Sequence, residues 1–120
     1  MRFYLILLSE IHNQTADEKF FKQVFSKKWE WWRYFPLSII LATPQDVYTN
    51  TLIAMLTESY GPSFFTVMEI DIKDVGGVMP GNKKDLEKGK TPLSWFYHLR
   101  DPKYIPKWER ENDKAKEETK

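Results

Sequence analysis

A chain of 120 residues that is 42% hydrophobic, 16% aromatic and 29% charged can fill one compact core but not two, and this composition excludes disorder as its overall state. A net charge of +1 excludes the strong positive field of a protein that coats nucleic acid, so any such contact has to come from a local patch. The absence of cysteine excludes a disulfide framework, thiolate metal sites and thiol redox chemistry, and it fits a cytoplasmic protein.

In chain order, the apolar run Phe3 to Leu8 is too short for a membrane span and lacks the small-residue cleavage site of a secretory leader, so no membrane association is expected. Its side chains are apolar at both alternating sets of positions, which predicts a central strand that needs cover on both faces. Ser9 and Glu10 end the run. Thr15, Ala16, Asp17 and Glu18 fit a capping box, with the threonine hydroxyl and the glutamate each taking a free backbone N–H. The predicted helix carries Phe20, Phe21, Val24 and Phe25 along one stripe. An aromatic cluster of Trp29, Trp31, Trp32, Tyr34 and Phe35 then leads through Pro36 into a second strand over 37–42.

Thr43, Pro44, Gln45 and Asp46 give another helix start, with threonine as N-cap and proline in the first turn. Tyr48, Leu52, Met55 and Leu56 recur at helical spacing until Gly61 and Pro62 stop the helix. A third strand is predicted over 64–72, with Glu69 and Asp71 at one end of a single face. Gly76 and Gly77 make a permissive turn, and 81–92 is a basic loop containing Lys83, Lys84, Lys88 and Lys90. Residues 93–99 form a short element, helix or edge strand. From Lys107 to Lys120 only Trp108 and Ala115 are apolar, a pattern that reads as a tail that is either a solvated helix or disordered. The order strand, helix, strand, helix, strand is met most economically by an α+β ferredoxin-like sandwich, an antiparallel sheet with two helices on one face and its first and third strands central. The predicted organisation is one domain over 1–102 and a charged tail over 103–120.

Tyr4-Leu5-Ile6, Trp31-Trp32-Arg33-Tyr34, the strand Phe65 to Ile70, Gly77-Val78-Met79-Pro80 and Trp95 resemble the SinR-like small-protein family. That family is in turn similar to the ferredoxin-like small subunit of the CRISPR spacer-integration complex, a group containing metal-dependent nucleases and inactive relatives. The resemblance spans roughly residues 1–99 and implies the sandwich fold and a homodimer. The nuclease relatives carry a metal-binding aspartate at the end of the first strand, one from each protomer; this chain has Ser9 there, with Glu10 beside it. Serine cannot replace a carboxylate as a metal ligand, and Glu10 would face the other side of a regular strand. Glu10 is therefore only a weak catalytic candidate, and no metal or cofactor is expected.

Trp31, Trp32, Arg33 and Tyr34, with Lys27, Lys28, Lys83 and Lys84, are the candidate ligand-binding residues. Aromatic faces stack on any base and guanidinium matches phosphate oxygens; equally, some of these rings would finish the core and a dimer contact. Glu10, His12 and Asp17 offer oxygen and nitrogen ligands near one strand end, and Glu69 with Asp71 offers a carboxylate pair. Both groups also read as solvated charges, and neither has the spacing of a metal motif. His98 stands alone. Two functions follow: a non-catalytic nucleic-acid- or nucleotide-binding homodimer, or a phage or mobile-element module that binds and blocks a host protein through the same aromatics. A metal-dependent ribonuclease is a third and weaker reading.

Overall fold

The computed structural model describes residues 1–11, 14–76 and 93–110. Among the described residues the main elements follow in the order β1 (Arg2–Leu8), α1 (Gln14–Ser26), β2 (Glu30–Trp32), β3 (Ser38–Thr43), α2 (Thr49–Tyr60), β4 (Phe65–Ile70) and α3 (Ser94–Arg100). The strands form one sheet in the order β2-β3-β1-β4, antiparallel at every pairing. This is a small α+β domain, with β1 and β3 in the centre. The strand expected to be central over 64–72 is instead an edge. It pairs only with β1 and none of its residues is fully buried, so its acidic positions meet solvent.

The element missing from the sequence-based order is β2, whose register sets Trp31 opposite Leu41. It exists because α1 ends sharply. The Trp29 N–H donates to the Val24 carbonyl (3.2 Å), the Lys28 N–H donates to the Phe25 carbonyl (3.0 Å), and Lys28 has a left-handed φ of 58°. This is the Schellman arrangement, built on lysine rather than glycine, and it brings the buried side chains of Val24 and Trp29 into one cluster. The chain therefore reverses within two residues and enters a strand antiparallel to β3.

Both predicted helix starts are displaced. α1 begins at Gln14, which puts Thr15 inside the first turn, and Glu18 accepts a hydrogen bond from the Gln14 side chain (2.9 Å) instead of completing a capping box with Thr15. α2 begins at Thr49, after Tyr48 as an N-cap without a side-chain hydrogen bond. Thr43 is held in β3 opposite Arg2, where its β-branched side chain is fully buried. Pro44 to Val47 make the turn that follows, closed by the Val47 N–H on the Pro44 carbonyl. At the far end Gly61, with φ 65°, donates to the Thr57 carbonyl and closes the helix as expected.

One face of the sheet contributes Tyr4, Ile6, Ile39 and Leu41 to the core beneath Phe20 and Val24 of α1 and Leu52 and Leu56 of α2. Complete burial of each such aliphatic side chain is worth roughly 1.5–3 kcal/mol. The opposite face is covered in part by the C-terminal part of the chain, which leaves Leu7 exposed. Trp95 meets Phe3 edge-on at 6.5 Å and Phe96 packs on Trp32 at 5.0 Å, so 94–100 is a helix lying on the sheet rather than an added strand. Beyond it Tyr104 bonds to Glu30 and Trp108 packs against the main core cluster. The structured domain therefore continues past 102, while the 81–92 loop with Lys83 and Lys84, and the residues after Arg110, lie outside the described residues.

Two stability predictions follow from these anchors. Trp108→Ala removes half-buried aromatic surface and should cost about 2 kcal/mol, read as a lower urea midpoint at unchanged slope; an unchanged midpoint would mean that the C-terminal turn does not dock. Lys28→Gly relieves the left-handed backbone and should raise stability by about 0.5–1 kcal/mol, whereas Lys28→Val should lower it.

Candidate functional site

The short strand β2 separates two environments because adjacent residues point to opposite faces. Trp31 points towards α1. Its ring lies 4.9 Å from Phe21 and 6.0 Å from Phe25, and with Gln14, Asp17, Glu18 and Lys22 these side chains line an open groove of about 750 Å³. Phe25 is 57% exposed. Phe20 and Val24 have gone into the core, so the outer half of the predicted stripe forms the groove wall.

Asp17 sits at the edge of that groove as the hub of a closed polar node. It accepts the Tyr60 hydroxyl at 2.6 Å and pairs with the Arg33 guanidinium at 3.0 Å. Arg33 also donates to the Pro36 carbonyl at 2.7 Å and lies over the Phe21 ring. Burial and the bond to the Asp17 carboxylate push the Tyr60 phenol well above its usual range, with Arg33 opposing the shift. The node joins α1, α2 and the β2–β3 connection, and it commits the guanidinium that was the candidate phosphate ligand.

On the other face, Glu30 and Trp32 point towards α3. Glu30 is only 2% exposed. Its Oε2 accepts the Tyr104 hydroxyl, whereas Oε1 is buried with no hydrogen-bond partner. The nearest cations are Arg110 Nη2 at 3.8 Å and Lys107 Nζ at 3.9 Å from Oε1, close enough for attraction but outside hydrogen-bond range. Beside this carboxylate a cavity of about 290 Å³ is lined by Trp31, Trp95, His98, Tyr104 and Lys107. Burial, then the bond to Glu30, pushes the Tyr104 phenol up to about 12.

The other predicted site residues are dispersed. Trp32, 7% exposed, is core for α3, while Tyr34 is exposed beside it at 5.1 Å. Lys27 sets its ammonium 5.5 Å from the Trp29 ring, and Lys28 forms the turn after α1. Ser9 continues the ladder to the Phe64 carbonyl, and Glu10 accepts the Ser63 hydroxyl at 2.9 Å. Asp17 is committed to its node and His12 lies outside the described residues, so no Glu10–His12–Asp17 grouping is described. Glu69 pairs with Arg2 at 3.1 Å, and Asp71 lies past the end of β4. Among the described residues no three His, Asp or Glu side chains converge as a metal-ligand set, and no helix is long and apolar enough to cross a membrane. His98, read as solitary, lines the Glu30 cavity. Glu30 and Tyr104 were not singled out from the sequence; the available signal was an acid inside a tryptophan cluster that alternation places on the same face as Trp32.

Tyr104→Phe leaves a buried carboxylate without its one hydrogen bond and should cost roughly 1–3 kcal/mol. The folded pKa of Tyr104 is raised, so this contribution is complete below the ordinary phenol value of 10.0 and is lost as pH rises towards about 12. Denaturation of wild type and variant should give stabilities that differ at neutral pH and converge over that interval. A constant gap would show that the bond does not titrate.

Comparison of the chain with protein-family models, with curated proteins and with solved structures finds no match to any of them.

Proposed function

We propose that this chain is a non-catalytic protein-interaction domain whose working surface is the aromatic groove between α1 and β2. The observation that carries this reading is the groove's chemistry. Phe21, Phe25 and Trp31 offer apolar walls, while the guanidinium at the rim is already paired with Asp17. A phosphate entering there would meet the Asp17 and Glu18 carboxylates, whereas an apolar side chain would meet three rings; aromatic pockets of this kind anchor protein interfaces. This favours the protein-binding function over nucleic-acid stacking by Trp31, Trp32 and Arg33.

The occupant we assign first is a second copy of the chain. α1 carries Glu18 on the groove in its N-terminal half and Lys22 in its C-terminal half. Two such helices packed antiparallel about a two-fold axis set Glu18 of one copy against Lys22 of the other and bring Phe25 towards the facing groove, as a self-complementary contact requires. The βαββαβ order and the all-antiparallel order β4-β1-β3-β2 support the finer assignment to a ferredoxin-like sandwich, and to that extent the resemblance to the SinR-like family. A host protein on the same groove is the heterologous form of this function.

Sedimentation equilibrium at micromolar concentration should give a dimer, and Phe25→Asp should weaken it by about tenfold or more, a loss of roughly 1.4 kcal/mol, with unchanged unfolding. A monomer would remove the second copy as occupant. Titration with single-stranded RNA or DNA, followed by tryptophan fluorescence, should show no saturable change. Binding that weakens steeply with salt and is lost with Phe25→Asp or Trp31→Ala would return the groove to nucleic acid.

A further inference from the structure

The cavity between β2, α3 and the C-terminal turn combines features that the groove lacks. Its floor is a carboxylate taken almost completely out of water, with one oxygen bonded to Tyr104 and the other, among the described residues, ion-paired but without a hydrogen bond. Native proteins seldom leave a buried acceptor in that state. The nearest cationic groups hold their distance from Oε1 at 3.8 and 3.9 Å. Trp95 and Tyr104 line the cavity beside the carboxylate, and aromatic rings of this kind attract cations. A volume of about 290 Å³ accommodates a short alkyl chain with a charged head.

We infer that this cavity is a binding site for a primary alkylammonium group, with the ammonium donating to Glu30 Oε1 and its alkyl chain lying against Trp95. Each component imposes a requirement. The unbonded carboxylate oxygen selects a cation with an N–H, which a quaternary ammonium lacks. The aromatic walls select a cation on an apolar stem over a hydrated inorganic ion. His98 contributes a ring at the mouth, and when neutral it offers a second acceptor. Lys107 is, with Arg110, an internal competitor for Oε1: its side chain is 52% exposed, its ammonium is the same chemical group as the ligand, and it lines the cavity. The ligand displaces it to reach Oε1. The site does not depend on which occupant fills the α1–β2 groove.

The source of the amine is either a free small molecule or the side chain of a lysine in another protein, and one titration series separates them. The full chain is titrated at neutral pH and constant ionic strength with butylammonium chloride, tetramethylammonium chloride, or an acetylated and amidated Gly-Lys-Gly peptide, followed by tryptophan fluorescence and calorimetry. Butylammonium should bind saturably, at least about tenfold more tightly than tetramethylammonium. Glu30→Gln, which can still accept from Tyr104, should weaken it by about tenfold or more. Lys107→Ala should tighten it about threefold by removing one competitor. Tighter binding of the peptide than of butylammonium identifies a protein lysine as the ligand, and the reverse order identifies a free amine. Equal response to butylammonium and tetramethylammonium, or no saturable response to any probe, overturns the assignment. If Glu30→Gln does not fold, Lys107→Ala decides: unchanged or weaker binding means that the ammonium does not compete at Glu30, and the proposal fails.

Discussion

The constraint on which this fold depends is that β1 is apolar on both faces and hydrogen-bonded along both edges. Leaving either face wholly uncovered would put several large side chains in water, at a cost of roughly 1.5–3 kcal/mol each, and here Leu7, near the end of the strand, is left exposed. The chain must therefore build two covering layers from only a little over a hundred residues. α1 and α2 supply the first. The second comes from α3, through Trp95 on Phe3 and Phe96 on Trp32, and its continuation is tied back to β2 by Tyr104 on Glu30. Tyr104 and Trp108, within the charged C-terminal stretch, are part of the architecture.

Two carboxylates show how differently the same group can be used. Asp17 is partly exposed and fully engaged, with one oxygen serving both a phenol and a guanidinium, and those bonds lock three elements together. Removing any partner from such a node leaves the others underbonded, so its role is structural. Glu30 is more deeply buried and less well satisfied. Taking a charge out of water and then withholding a hydrogen bond from one of its oxygens is unfavourable for stability alone. The asymmetry makes Glu30, not Asp17, the group with unused binding capacity.

The parts of this fold that were legible in the sequence are those where local pattern and tertiary demand agree. The run Phe3 to Leu8 must be a strand covered on both sides, and Leu52, Met55 and Leu56 must face a core whatever lies opposite. β2 was illegible because it has only three residues and begins straight after a left-handed turn on Lys28, where no glycine marks the reversal. The Thr15 and Thr43 capping signals were overridden, the first by a helix that starts one residue earlier, the second by ladder pairing opposite Arg2. At the candidate site, strand alternation splits the aromatic cluster: Trp31 lines the surface groove and Trp32 fills the core. Which rings remained available depended on pairing with β3, a long-range fact that no local spacing carries. The partnership of Glu30 with Tyr104, separated by 74 residues, was beyond any window of sequence.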